Sequence, residues 1–307
     1  MTNPNAKKDI YAEKPLALTI AQGRAMCDVV HRNGIVWQTG SQQRSDKNFR
    51  FACELVRNKR LGSLHTIYIG LPTGSPTGPQ PEMPVPEGFD YDFWLGPAPW
   101  APYTEKRCHW NFRWILNYSG GQLTDWATHH CDIAQWAMGT ENTGPLEIEG
   151  RGEYPRDGLW KTAVSYRFEC RYANGVTMVV MNDKQEVEGK QFKNGIKFVG
   201  DKGWVFVNRS EIDAEPKSLL NEVIGPDEIQ LYRSAEHHAN FIDCVRSRKA
   251  TIAPIETAQR SITIAHLGNI AMQFERKVKW DPARERFVND PEADRMLNRA
   301  MRSPWHL

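Results

Sequence analysis

Long apolar runs are missing from this chain. No window of the 307 residues approaches the ~18 consecutive apolar residues that a membrane-spanning helix requires. The opening Met1-Thr-Asn-Pro-Asn-Ala-Lys-Lys has no apolar core of the kind a secretory signal carries. A soluble, cytoplasmic protein is therefore expected. An excess of one charge is missing too: 39 Lys plus Arg stand against 37 Asp plus Glu, a net charge of +2. That balance leaves no electrostatic footprint for nucleic acid or for an anionic membrane. The six cysteines stand singly at Cys27, Cys53, Cys108, Cys131, Cys170 and Cys244, with no Cys-x-x-Cys pair. This argues against a zinc knuckle or a thioredoxin-type site, and leaves the cysteines to behave as small buried hydrophobes. Neither His129-His130 with Asp132 nor Glu236-His237-His238 has a standard ligand spacing, so no metal is expected.

What is present is ordinary globular composition, 40% hydrophobic and 25% charged, which excludes a disordered or fibrous chain. Eleven tryptophans are the compositional oddity. Several fall between Trp94 and Trp136, where flat aromatic faces suit either a pocket for rings such as sugars or a tryptophan-rich core.

The first seventy residues alternate strand and helix. Asp9–Glu13 reads as a strand ending at Lys14-Pro15, and Thr19 as the cap of a helix to about Arg32 that Asn33-Gly34 ends. Ile35–Thr39 is a second strand, Asp46 caps a second helix, and Leu64–Ile69 is a third strand. That order predicts a parallel, helix-covered sheet. A Pro- and Gly-dense connection from Leu71 to Gly88 marks a boundary, residues 89–118 are aromatic and irregular, and a helix runs from about Thr124 to Met138. Short strands separated by turns at Ala173-Asn-Gly and Asp201-Lys-Gly then predict an antiparallel sheet over residues 145–207, with helices returning at 235–247 and 255–275. The expected fold is α/β plus α+β. A partial Rossmann-like nucleotide-binding domain occupies residues 1–70, and an antiparallel-sheet substrate and oligomerisation domain with C-terminal helices occupies residues 71–307.

Two places carry chemistry. Lys14 sits at the carboxyl end of a strand, where ligands bind in open α/β sheets. A lysine partly desolvated there can act as general acid or base, although a lysine snorkelling at a strand end has the same sequence signature. Asp125, His129, Asp132 and Trp136 recur at i, i+4, i+7 and i+11 and stack on one helix face. Asp125 is within reach of His129 and can set its tautomer; the alternative is a solvated polar face.

These two places together resemble one family. Asp9-Ile-Tyr-Ala-Glu-Lys-Pro-Leu is similar to the Glu-Lys-Pro segment of the Gfo/Idh/MocA oxidoreductases, the glucose–fructose oxidoreductase and inositol dehydrogenase family. Gly120-Gly-Gln-Leu-Thr-Asp-Trp-Ala-Thr-His-His-Cys-Asp resembles that family's second signature, with Ala127 in place of a glycine. Thr39-Gly-Ser-Gln-Gln-Arg-Ser, Asn117-Tyr-Ser-Gly-Gly, Ala265-His-Leu-Gly-Asn-Ile-Ala and Trp280-Asp-Pro follow in the expected order. The resemblance implies a Rossmann domain followed by a sheet domain, NAD or NADP as cofactor, and sugars or cyclitols as substrates. It implies that Lys14 is the catalytic lysine beside the nicotinamide, with Glu13 and Pro15 at the cofactor, and that Asp125 and His129 orient substrate and relay a proton. Arg44, Arg113, Trp114 and Asp132 are candidate substrate contacts by their nearness to the motifs.

The chain departs from that pattern at its front. No Gly-x-Gly-x-x-Gly loop occurs, the nearest run, Gly150-Arg-Gly152, being followed by Glu-Tyr-Pro-Arg. About three βα units that should precede Lys14 have no counterpart before it. The expected consequences are weaker cofactor binding and an open sheet edge that a second copy of the chain covers, making a homo-oligomer. Three functions follow as expectations: hydride transfer at a sugar or cyclitol hydroxyl; glycoside hydrolysis, redox-assisted or cofactor-independent; and a non-catalytic carbohydrate-binding or scaffold role.

Overall fold

The computed structural model describes residues 6–183 and 185–307. Its first stretch folds as the local signals require. Strand β1 (Ile10–Ala12) leads to the Lys14–Pro15 bond, which is cis. Thr19 Oγ1 accepts from Gln22 N at 3.2 Å and caps helix α1 (Ile20–Arg32), which buries Ile20, Cys27 and Val30 and ends at Asn33 before Gly34 at φ +60°. Strand β2 (Trp37–Thr39) pairs parallel with β1, Ile10 opposite Trp37. The Asp46 carboxylate accepts from the amides of Asn48 and Phe49 and starts helix α2 (Lys47–Arg57).

Beyond α2 come strand β3 (Leu64–Leu71), the short helix α3 (Tyr91–Leu95) and helix α4 (Gly121–Met138). Strands β4 (Glu147–Glu153), β5 (Ser165–Arg171) and β6 (Thr177–Asn182) follow, then the small hairpin β7 (Glu186–Val187) and β8 (Lys190–Gln191). Next are β9 (Gly195–Gly200), β10 (Gly203–Val207) and β11 (Ile212–Glu215), helices α5 (His237–Ser247) and α6 (Ile255–Phe274), and strands β12 (Val278–Asp281) and β13 (Arg286–Phe287). Nine strands form one sheet in the order β11-β10-β9-β3-β6-β5-β4-β12-β13. Neighbours are antiparallel except β3 and β6.

The parallel sheet expected of the first seventy residues therefore stops at two strands. Its third member, β3, lies in the middle of the large sheet, with Thr66 opposite Thr177 on one side and Ile67 opposite Phe198 on the other. The strand–helix–strand order is a local signal, whereas the sheet a strand joins is decided by partners far along the chain. β3 suits a central place: Ile67, Ile69 and Leu71 are fully buried on the helix side, while Tyr68 packs on the opposite face against Val179, Met181, Phe192 and Phe206. On the helix side α4 crosses β3 and β9 between α2 and α6, α6 covers β4 and β5, and α1 leans on α6.

Helix α4 is buried on nearly every side; only Trp126 and Met138 escape. Its polar side chains must then find partners inside the protein. Asp132 does so most completely. Arg44, in the tight turn between β2 and α2, donates Nε to Asp132 Oδ2 at 2.6 Å and Nη2 to Oδ1 at 2.9 Å, while Ser261 of α6 donates to Oδ1 at 2.8 Å. Arg44 also meets Glu141 at 2.9 Å and lies 4.9 Å from the Trp136 ring centre. His130 donates Nε2–H to Asn194 at 3.0 Å, and its Nδ1 faces Gln43 at 3.4 Å. The six cysteines are all buried and unpaired, as single scattered cysteines should be.

Two expectations follow. The Arg44 and Asp132 side chains are each 3% exposed, so Arg44→Met leaves a buried carboxylate without its charge partner. Urea unfolding should show a loss of about 3–5 kcal/mol, with part of it regained in Arg44→Met/Asp132→Leu; a loss under about 1 kcal/mol would contradict the pairing's role. Burial also pushes His130 and His266 down to about 4, and holds His129 well below its ordinary 6.5 with help from the Lys14 and Arg209 charges. Unfolding between pH 6.5 and 4 therefore takes up protons, so stability falls as pH falls through that window, by up to about 1.4 kcal/mol per pH unit for each imidazole. A urea midpoint that stays the same from pH 7 to pH 5, or a slope unaltered by His266→Gln, would count against this.

Candidate active site

The first of the two motifs meets the second at the wall of a cavity. The backbone of β1 ends at Ala12, and the chain turns so that Lys14 reaches the first turns of α4. Its Nζ donates to Asp125 Oδ1 at 2.8 Å and to the Asp125 backbone oxygen at 3.0 Å, which leaves one of its three N–H bonds for another acceptor. Asp125 is held from the far side as well. Arg113, in the 3-10 turn His109–Trp114, donates Nη1 to Asp125 Oδ2 at 2.7 Å. Both carboxylate oxygens thus face a cation.

The start of α4 is shaped by its glycines. Gly121 has φ +78°, and a Cβ built there would lie 2.5 Å from Thr162, so only glycine lets the chain enter the helix against that neighbour. Ser119, Gly120, Thr124 and Asp125 consequently face a cavity of about 840 Å³, with Lys14 and Pro15 opposite. Ala12, Met26, Val29 and Trp37 supply an apolar side, and Met301 and His306 close it from the far end of the chain. Leu18, Phe112 and Tyr118 are shared with an adjoining space of about 470 Å³ that also takes in Trp94 and Leu95. Volumes of this size hold one or two ring systems.

His129 lies one turn along α4 from Asp125, 4% exposed, with its Nδ1 unpartnered and the edge of Trp126 against its ring. Burial and the neighbouring Lys14 and Arg209 charges keep it neutral. It stands behind the cavity wall rather than on it. Arg44 and Asp132 do not come to the cavity: Asp132 is two turns further along α4, inside the core, and the two are closed on each other. Trp114 lies under the Arg113 guanidinium and is 9% exposed. Glu13 is exposed, and its carboxylate fills the space that a Cβ at Gly40 would need. Of the tryptophans, Trp37 lines the larger space and Trp94 the smaller, while Trp136 belongs to the core.

Three features are absent from the sequence reading. Arg209, in the turn after β10, stacks 4.7 Å above the Trp126 ring, next to His129; nothing in its local sequence marks it. Met301, His306 and Leu307 reach the cavity from the last residues, a long-range placement with no local signature. The run Trp110-x-x-Arg113-Trp114, by contrast, carries a legible signal, since residues that close together can stack around one guanidinium. Among the described residues no cluster of three or more His, Cys, Asp or Glu is arranged to hold a metal ion. Glu236 caps α5 instead, and His237 donates Nε2–H to Thr39 O while its Nδ1 accepts from Ser45.

Comparison with known proteins agrees with the likeness of the motifs. The chain is 23% identical over 290 residues to a myo-inositol 2-dehydrogenase of Thermotoga maritima, covering 90% of this chain and 74% of that protein. It is 26% identical over 204 residues to an uncharacterised oxidoreductase, YrbE, of Bacillus subtilis, covering 64% of this chain and 48% of the other. The fold matches the WlbA dehydrogenase from Bordetella pertussis, solved with NADH and UDP-GlcNAcA, at a TM-score of 0.63 and 13% identity over 91% of this chain and 73% of that one. It also matches an aldose-aldose oxidoreductase from Caulobacter crescentus, solved with glycerol, at 0.62 and 18% identity over 90% and 73%. Residues 76–307 match the family described as the oxidoreductase family, C-terminal alpha/beta domain. On that match, more than half its length, the chain belongs to the Gfo/Idh/MocA oxidoreductase family.

Proposed function

We propose that this chain transfers a hydride between a nicotinamide cofactor and a ring hydroxyl of a sugar or cyclitol, with Lys14 handling the hydroxyl's proton. One observation carries the reading: Lys14 Nζ sits 2.8 Å from Asp125 Oδ1 at the wall of an open cavity of about 840 Å³, although 111 positions separate the two residues. An ion pair built across such a distance in sequence, beside a cavity with an apolar side, suits a reaction that needs a positioned proton donor next to a flat ring.

The donor set fits the reacting end of a nicotinamide. Lys14 and Pro15 line the cavity together with Ala12, Met26 and Trp37 and would border the ring, whereas Glu13 is not among the lining residues and turns its carboxylate to Gly40. When bound, that group supplies the hydride chemistry. The chain's own residues do the rest. In the reducing direction the Lys14 ammonium gives its free proton to the carbonyl oxygen; in the oxidising direction the amine accepts the proton of the hydroxyl. Asp125 fixes the Lys14 nitrogen through two acceptors, its carboxylate and its backbone oxygen. Lys14 and Arg113 together outnumber Asp125 in charge, which favours an oxygen that becomes negative in the transition state. His129, held neutral one turn behind Asp125, backs the cavity wall rather than lining it.

The test is a panel of neutral sugars and cyclitols offered with NAD and with NADP, following the absorbance of the reduced cofactor. Turnover of at least one substrate is expected, and Lys14→Met should lower kcat by about 10²- to 10⁴-fold. Turnover of none of them with either cofactor, or a Lys14→Met enzyme as fast as the parent, would reject the reading.

A further inference from the structure

Arg113 is held more tightly than a substrate-contacting arginine needs to be. Its guanidinium carbon lies 3.7 Å from the centre of the Trp110 ring and 4.7 Å from that of Trp114, so the cation packs over two indoles at once. Nε donates to the Trp110 backbone oxygen at 3.2 Å, and Nη1 donates to Asp125 Oδ2 at 2.7 Å. The side chain is only 17% exposed, yet Trp110, which covers it, is 71% exposed. A large apolar ring displayed to water at that spot is explained by the cation beneath it.

We infer that Arg113 is a positioning residue for Lys14: the two indoles fix the guanidinium plane, the guanidinium fixes one oxygen of Asp125, and the other oxygen is thereby aimed at Lys14 Nζ. The inference rests on the reading that Lys14 moves the proton. Its physical basis is the softness of a carboxylate. The terminal torsion of an aspartate is broad, so a carboxylate held at one oxygen can swing and carry its partner with it. Held at both oxygens it cannot. Arginine is required because its planar fork can stack and donate at once; an ammonium has neither the plane nor the fork. The titratable groups around the pair come from four parts of the chain: Lys14 after β1, Arg113 from the 3-10 turn, Asp125 and the neutral His129 from α4, and Arg209 from the turn after β10. Arg113 is the one among them that packs over two aromatic rings.

The experiment compares Arg113→Ala, Arg113→Lys and Trp110→Ala with the parent enzyme on a sugar or cyclitol that the panel identifies. Arg113→Ala should lower kcat by about 10- to 100-fold with KM changed by less than about threefold, since misplacing a catalytic group costs turnover rather than binding. Arg113→Lys should not restore the rate. Millimolar guanidinium ion should restore kcat in Arg113→Ala but not in Lys14→Met. Independently of activity, guanidinium should give a saturable change in the tryptophan fluorescence of Arg113→Ala that is lost in Arg113→Ala/Trp110→Leu. If Arg113→Ala does not fold, Trp110→Ala, altered at an exposed ring, decides the matter: a lower kcat at kept KM supports the clamp and an unchanged kcat overturns it. A raised KM with kcat kept makes Arg113 a substrate contact and overturns the inference, as does full rescue by lysine. Should Lys14→Met prove fully active, the proton-transfer reading fails whatever guanidinium does; should Lys14→Met be inactive while Arg113→Ala is unimpaired, only the present inference fails.

Discussion

The constraint on which this structure turns is the burial of a helix that is polar on most of its faces. Helix α4 runs between the sheet and two other helices and carries Gln122, Thr124, Asp125, Thr128, His129, His130, Asp132 and Gln135 inward. Leaving all such groups unpaired would cost several kcal/mol in total, and several neighbouring elements bring partners. Arg44 arrives from the turn after β2, Ser261 from α6, Asn194 from the chain ahead of β9, and Lys14 and Arg113 from opposite sides of the helix start. The helix is thereby both the organiser of the interior and the floor of the cavity.

One carboxylate of that helix is closed to solvent and the other is open to a ligand, although seven positions separate them. Asp132 meets a bidentate arginine in the core, where no ligand reaches it. Asp125 sits at the first turns, beside glycines that leave room, and its two cations border the cavity. The same residue type at the same face of one helix therefore serves architecture at depth and chemistry at the rim. Depth along the helix axis, rather than the residue itself, separates the roles.

This is also why the sequence was legible in some places and opaque in others. The caps at Thr19 and Asp46 and the end of helix α4 at Met138 are set by neighbours within a few residues, and they read correctly. The convergence of Lys14 with Asp125 was accessible only through the likeness of two motifs to a family, since spacing alone cannot join residues so far apart. Arg44 and Asp132 looked like site residues because charge near a motif is ambiguous until burial is known. β3 was assigned to the wrong sheet because both of its true neighbours lie more than a hundred positions later. Arg209 had no local mark at all.

The position of β3 has a consequence for how the molecule comes to exist. It is the spine of the nine-stranded sheet, yet Thr66 waits for Thr177 and Ile67 for Phe198. A nascent chain emerging from the ribosome carries Ile67, Ile69 and Leu71 with neither flank present while the aromatic stretch and α4 are still being made. Closing contacts of that span is slow and leaves greasy strand edges open to other molecules. Assembly is thus paced by the arrival of residues 177–200, and an interrupted synthesis that stops short of them yields a species without a sheet centre.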